Sequence, residues 1–335
     1  MKTYTVAVLG ATGAVGREMI KVLSERRFPV GKLVLLASEK SVGTTVSFRG
    51  EDVKVQLAEE NAFKGCDVVL GASPNAVAKR FAPHIVSAGA IFVDNSSAFR
   101  MDENVPLVVP EINPEDVKNH NGIISNPNCS TIIALVAVNG INKLSPIKAM
   151  TVSTYQAVSG AGAGGPKELL AQTAALAEGK QVAPEVFRYQ IAYNLIPQIG
   201  DFLDNGYTTE EMKMQNEGRK ILHLPSLSVG CTCVRVPVVR SHSISISLKT
   251  ERDISVEEAR RAVAAAPGCR LVDDPANYVY PMPLDTSDQD LVFVGRMRRD
   301  IVSGGLSLWC CGDQVRKGAA TNTVQIAETA LGINT

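Results

Sequence analysis

The sequence predicts an α/β protein of two domains: a parallel sheet covered by helices on both faces, then an α+β domain with a mostly antiparallel sheet. Three observations carry this. The 335 residues exceed what one hydrophobic core ordinarily holds. Up to about residue 125, short apolar runs alternate with amphipathic segments, the rhythm of βαβ units. Beyond about residue 146 the strands alternate apolar and polar side chains, which suits an antiparallel sheet with one open or helix-covered face.

In the first part, residues 5–9, 33–37, 67–70 and 90–93 read as strands. Residues 13–24 and 75–87 read as helices, with Pro74 placed to start the second. In the second part, 149–157, 232–239, 243–249, 291–297 and 306–312 read as strands, and 166–177 and 255–265 as helices. Ser255 followed by Glu258 forms a capping box. Residues 179–215, rich in Tyr, Asn and Pro, read as an irregular interface or lid. The last helix, 315–331, is expected to pack back on the first domain. The resulting division is 1–127 with 316–335 as one domain and 128–315 as the other.

Composition excludes several function classes. The 34 basic and 34 acidic side chains cancel, so no global field draws nucleic acid or an anionic membrane. No apolar stretch reaches the ~20 residues that span a bilayer, and the N-terminus has no export signal. Seven cysteines without a paired CxxC pattern argue against a metal site. Cys231, Cys233, Cys310 and Cys311 fall in apolar runs, as small buried hydrophobes do. The expected compartment is a reducing cytoplasm.

Leu9-Gly10-Ala11-Thr12-Gly13-Ala14-Val15-Gly16 follows a strand and opens a helix. Glycines let backbone approach a pyrophosphate, whose charge the helix N-terminus stabilises. The spacing is G-x-x-G-x-x-G, and a plain β–α turn is the alternative. The position inside a βαβ pattern favours a Rossmann-type dinucleotide-binding domain. The second strand ends at Ser38-Glu39-Lys40-Ser41, where an acid selects the ribose hydroxyl of NAD and a cation the 2′-phosphate of NADP. Both signs are present; Ser38, Lys40 and Ser41 point to NADP.

Asn126-Pro127-Asn128-Cys129-Ser130-Thr131 precedes the apolar helical run 132–138. Cys129 thus falls at a helix start, where the macrodipole stabilises a thiolate. A thiolate beside a nicotinamide can attack an aldehyde, lose hydride to the cofactor and leave a thioester open to phosphate.

Over essentially its whole length the chain resembles the aspartate-semialdehyde dehydrogenases. The matching segments are residues 10–16, Asn95-Ser96-Ser97-Ala98-Phe99-Arg100, residues 125–131, 156–162, 217–220 and 235–242, and Asn322. The resemblance implies NADPH-dependent reduction of L-aspartyl-4-phosphate to L-aspartate 4-semialdehyde and inorganic phosphate, a step toward lysine, threonine and methionine. It implies Cys129 as nucleophile, Gln156 as a placing neighbour and His242 as acid/base. Arg235 would grip the substrate carboxylate, Glu217 would face its ammonium, and Lys220, Arg100 and Asn128 would form the phosphate site. Gly10, Thr12, Gly13, Ala14, Val15, Gly16, Ser38, Lys40, Ser41, Ser73, Ser159, Gly160, Ala161 and Asn322 would border NADP(H). It further implies a homodimer with no metal. Glu39 beside Lys40 departs from the pattern of strict NADP selectivity.

Two other readings compete. An N-acetyl-gamma-glutamyl-phosphate reductase shares the fold and the cysteine, but its blocked amine has no use for Glu217. It also typically shows Gly where Asn128 stands. A catalytically silent paralogue would be expected to lose the nucleophile or the base, and Cys129, Gln156 and His242 are all present.

Overall fold

The computed structural model describes residues 2–333. The chain forms two compact units, the first running to Asn128 and resuming at Ala319, the second spanning Cys129–Gly318.

The first unit contains strands β1 (Tyr4–Leu9), β2 (Val30–Ala37), β3 (Thr45–Phe48), β4 (Glu51–Leu57), β5 (Val68–Gly71), β6 (Ile91–Asp94) and β7 (Ile123–Ser125). Its helices are α1 (Ala14–Glu25), α2 (Asn75–Ser87) and the C-terminal helix Thr321–Leu331. The strand order is β3-β4-β2-β1-β5-β6-β7. Every pairing is parallel except the β3–β4 hairpin. Counting only the parallel strands, this is the doubly wound order 3-2-1-4-5-6 of dinucleotide-binding sheets. Strand β1 shows why both faces are covered. Tyr4, Val6 and Val8 join one buried cluster with Met19 and Leu23 of α1 and Val324 and Ala327 of the C-terminal helix. Ala7 and Leu9 join another with Phe81 and Ile85 of α2. A strand buried on both faces has to be continuously apolar, and residues 6–9 are.

The second unit contains α3 (Cys129–Leu144), β8 (Ile147–Gln156), α4 (Gly164–Ala177), α5 (Thr209–Leu222), β9 (Ser228–Arg235), β10 (His242–Thr250), α6 (Val256–Ala265), β11 (Cys269–Leu271), α7 (Pro283–Thr286), β12 (Val292–Arg299) and β13 (Leu306–Gly312). Its sheet runs β11-β12-β13-β10-β8-β9. The centre is antiparallel, with parallel pairs β11–β12 and β8–β9 at the edges. Helix α3 is buried all round from Ser130 to Ile141, as expected for a helix apolar on every face. A Cβ on Gly140 would come within 2.5 Å of Ala262 O, so α3 and α6 cross with their backbones nearly touching. The Ser255–Glu258 capping box of α6 is present.

Several boundaries correct the sequence reading. The stretch 179–215 is not irregular to its end: α5 begins at Thr209, capped by Thr208 with Glu211 in a second capping box. Strand β9 ends at Arg235, not 239, because Val236 and Val238 turn back to bond Gln156 and Val158. The last helix begins at Thr321, after a π turn over Arg316–Ala320. The β3–β4 hairpin and the short strands β7 and β11 are additions. We label the C-terminal helix α8.

Candidate active site

In the first unit, β1 delivers the glycine loop. Gly10 has φ +88°, and a Cβ there would lie 2.4 Å from Ala72 O; only glycine fits. A Cβ on Gly16 would lie 2.2 Å from Gly10 O, so α1 starts tightly against the turn. Gly13 caps α1 with no side-chain hydrogen bond, leaving first-turn N–H groups to a ligand. A cavity of about 440 Å³ opens beside this loop, lined among others by Gly10, Thr12, Ser38, Glu39, Ser73 and Arg80. Ser73 Oγ, buried there, has no hydrogen-bond partner among the described residues. A buried hydroxyl without a partner fits a site meant to hold polar ligand atoms. Lys40 is exposed in the adjoining turn, and Ser41 Oγ lies 3.1 Å from Thr12 Oγ1.

In the second unit, three neighbouring strands bring the candidate residues to one end of the sheet. Gln156 is the last residue of β8 and Arg235 the last of β9, and the two are partners in register. His242 opens β10, which runs antiparallel to β8 with Ser243 opposite Tyr155. Cys129 opens α3, and its Sγ lies 3.5 Å from His242 Nε2. Gln156 Nε2 is also 3.5 Å from His242 Nε2. Gly318 has its α-carbon hydrogen directed at Cys129, for a Cβ there would lie 2.8 Å from Cys129 Cβ.

The histidine is held tightly. Ala157 N–H donates to His242 Nδ1 at 3.1 Å, so the neutral ring carries its proton on Nε2, facing Cys129. Ser241 before it adopts φ +71°, an unfavourable conformation for serine. It is fixed by its N–H to Gln314 Oε1 at 2.9 Å and its Oγ to Thr286 Oγ1 at 2.6 Å. Burial first, and then the Arg235 charge, pull His242 down to about 3, with Glu210 opposing. The imidazole is therefore neutral through the physiological range. Arg235 is 7% exposed and donates through Nη1 to Ala157 O at 2.7 Å; burial lowers its pKa while Cys129 and Glu210 raise it. A buried neutral Nε2–H donor and guanidinium beside a half-buried thiol can stabilise an oxyanion formed on attack by sulfur.

Residues 5–120 match the semialdehyde dehydrogenase NAD binding domain and residues 138–317 the semialdehyde dehydrogenase dimerisation domain. An aspartate-semialdehyde dehydrogenase of Aquifex aeolicus is 52% identical over 330 residues, 97% of each chain. The chain belongs to the aspartate-semialdehyde dehydrogenase family. The structure of aspartate semialdehyde dehydrogenase II of Vibrio cholerae complexed with ASA superposes with a TM-score of 0.96, at 44% identity and complete coverage of both chains. That of Candida albicans, solved with NADP, has a TM-score of 0.75 at 25% identity, covering 99% of this chain and 100% of its own.

The other residues matching the aspartate-semialdehyde dehydrogenase pattern divide between the units. Glu217 and Lys220 lie on α5 of the second unit, Glu217 only 2% exposed. Ser159, Gly160 and Ala161 form the turn after β8, and a Cβ on Gly160 would lie 2.8 Å from Arg235 Nη1. Arg100, Asn128 and Asn322 belong to the first unit. Arg100 donates to Asn126 O and Asn95 O, both at 2.9 Å. Asn322 Nδ2 donates to Val108 O at 3.0 Å and Asn126 Oδ1 at 2.7 Å, pinning α8 to the loop before Asn128. Three neighbours go beyond the sequence reading: Arg80 in the cavity, Gly318 behind Cys129, and Glu210 behind Gln156. The Thr208–Glu211 capping pattern is the sequence signal that would have placed Glu210 on a helix.

Proposed function

We propose that the protein reduces L-aspartyl-4-phosphate to L-aspartate 4-semialdehyde with NADPH, releasing inorganic phosphate, in the biosynthesis of lysine, threonine and methionine. The observation that carries the chemistry is Cys129 Sγ at 3.5 Å from His242 Nε2, in a chain 52% identical to a curated member of the family. The Cys129 sulfur forms a bond to the acyl carbon, and the C–O bond to phosphate breaks with its electron pair, leaving a thioester. NADPH, when bound, supplies the hydride that reduces the acyl carbon. The resulting oxyanion accepts a hydrogen bond from His242 Nε2–H, then re-forms its carbonyl and expels the Cys129 thiolate. Cys129 gives up its proton to water before attack, a loss favoured by its place at the start of α3. It leaves again as thiolate, so the neutral imidazole serves as hydrogen-bond donor throughout.

Arg235 takes the substrate carboxylate, a task for a planar bidentate donor, and Glu217 faces the ammonium. Lys220, Arg100 and Asn128 take the phosphate. Gly10, Thr12, Gly13, Ala14, Val15, Gly16 and Ser73 hold the dinucleotide, with Ser159, Gly160, Ala161 and Asn322 bordering it. NADP is favoured over NAD by Ser38, Lys40 and Ser41 at the end of β2 and by the NADP held in the Candida albicans relative. The dimerisation domain supports a homodimer, and seven free thiols fit a reducing cytoplasm. The deciding assay is phosphate-dependent NADP reduction with L-aspartate 4-semialdehyde, run beside N-acetylglutamate semialdehyde. Preference for the first, lost in Cys129→Ser with NADP binding retained, is expected; preference for the second overturns the assignment.

A further inference from the structure

Glu210, the second residue of α5, is a carboxylate only 8% exposed. Its Oε1 accepts from Gln156 Nε2 at 3.2 Å and its Oε2 from Lys213 Nζ at 2.8 Å. The opposite end of the Gln156 amide accepts from Thr154 Oγ1 at 3.0 Å. A glutamine amide has the same shape either way round, so its partners alone decide its orientation. The Thr154 hydroxyl can donate or accept and would satisfy either orientation. An ionised carboxylate only accepts, and so demands the NH₂ group.

We propose that Glu210 is a positioning residue of the reacting centre, whose carboxylate selects one orientation of the Gln156 amide and whose charge counters that of Arg235 beside His242 and Cys129. The proposal rests on the reading of Cys129, Gln156 and His242 given above. Turned the other way, the Gln156 carbonyl would meet His242 Nε2–H at the longer distance of 3.5 Å but would set an acceptor against the Glu210 carboxylate at 3.2 Å. That is a charged clash inside the protein, and it outweighs the neutral contact. The groups acting on His242 come from three elements: Cys129 from α3, Arg235 from β9 and Glu210 from α5. Arg235 disfavours the imidazolium and Glu210 favours it. Lys213, paired with Glu210, is partly exposed and so screened by water. Removing the Glu210 charge leaves Arg235 unopposed, which lowers the pKa of every neighbouring acid, the Cys129 thiol included.

This gives a signature that simple loss of structure does not. In Glu210→Gln the Cys129 thiolate becomes easier to form while turnover slows, because the amide of Gln156 is no longer fixed. The experiment follows iodoacetamide alkylation of Cys129 against pH, with kcat for aspartate semialdehyde and the melting temperature measured alongside. Glu210→Gln is expected to move the alkylation midpoint to lower pH and to cut kcat at least tenfold. Glu210→Asp, which keeps the charge, should return the midpoint to the wild-type pH and recover part of kcat. Thr154→Val, which removes a partner indifferent to orientation, should lower kcat less than Glu210→Gln does. Where Glu210→Gln folds poorly, Glu210→Asp carries the test, since a midpoint moved to lower pH with the charge kept would overturn the proposal. Overlaid alkylation profiles, or a larger effect from Thr154→Val than from Glu210→Gln, overturn the proposal. Turnover by Cys129→Ser would instead overturn the reading beneath it; a dead Cys129→Ser beside a normal Glu210→Gln removes Glu210 alone.

Discussion

Replacing Gly160 by alanine should damage the reaction and leave the fold intact. Gly160 has no positive φ, so alanine meets no backbone strain there. Its loss of freedom in the unfolded chain would even favour folding by about 0.4–1 kcal/mol. The added Cβ, however, would lie 2.8 Å from Arg235 Nη1 and 3.2 Å from His242 Cε1. Ordinary contact begins at 3.4 Å, so the guanidinium has to retreat by roughly 0.6 Å, the difference of those distances. That shift loosens the 2.7 Å bond from Arg235 Nη1 to Ala157 O, which is what aims the guanidinium. The bond misaimed in consequence is the one Arg235 gives the substrate carboxylate in the reading above. A hydrogen bond to a charged group contributes about 1.5–3 kcal/mol, and ~1.4 kcal/mol is a factor of ten in rate. We expect kcat/KM for aspartate semialdehyde to fall roughly ten- to hundredfold, with the NADP dissociation constant and melting temperature little changed. Steady-state kinetics, NADP fluorescence titration and calorimetry on one preparation decide it. A kcat/KM within twofold of wild type, or a loss matched by a large drop in melting temperature, refutes the reasoning.

Three further outcomes are expected. Since His242 titrates near 3 when folded and near ~6.5 when unfolded, the unfolded chain binds the extra proton between those values. Stability should therefore fall as pH drops below about 6.5, by up to about 1.4 kcal/mol per unit from this group, and urea unfolding of His242→Gln should show a shallower slope; equal slopes contradict the assignment. Thr208→Ala removes the capping box of α5 and should cost about 1 kcal/mol, read as a lower urea midpoint; an unchanged midpoint would show that the cap contributes nothing. Lys40→Ala should raise KM for NADP and leave that for NAD little altered, whereas a wild type that uses NAD more efficiently would assign the ribose to Glu39.

Most of the first unit is legible in the sequence because β1, β5 and β6 are buried on both faces and show as largely apolar runs. The β3–β4 hairpin is less so, since Val53, Val55 and Leu57 alternate with Asp52, Lys54 and Gln56 in a largely exposed strand. Helix α5 hides for a different reason. Its apolar positions are sparse, and its buried side includes Glu210, Glu211 and Glu217, so the period that normally reveals a helix is carried by acids. Cys129 at a helix start is visible from the Asn-Pro-Asn lead and the apolar run behind it. The meeting of Gln156, Arg235 and His242 depends on the register of β8, β9 and β10, set by ladders between residues about 80 to 100 positions apart. No local pattern encodes that, and only the family resemblance could assemble those residues in advance.

The first unit is made from two pieces of chain, and this sets a timetable for its birth. Its first piece ends at Asn128 and its second begins at Ala319, so about 190 residues leave the ribosome between them. At about 5–20 residues per second that interval lasts roughly 10–40 s. Until it closes, Met19, Leu23 and the outer side of β1 lack Val324, Ile326 and Ala327 as partners. Arg26 likewise lacks the Glu328 carboxylate that it later grips at 2.7 and 2.9 Å. The nascent dinucleotide-binding sheet therefore carries an open apolar face through most of synthesis, a surface for chaperones to hold and for aggregation to exploit. The same order means that the cofactor-binding unit is completed only after the whole of the cysteine-bearing unit has been synthesised.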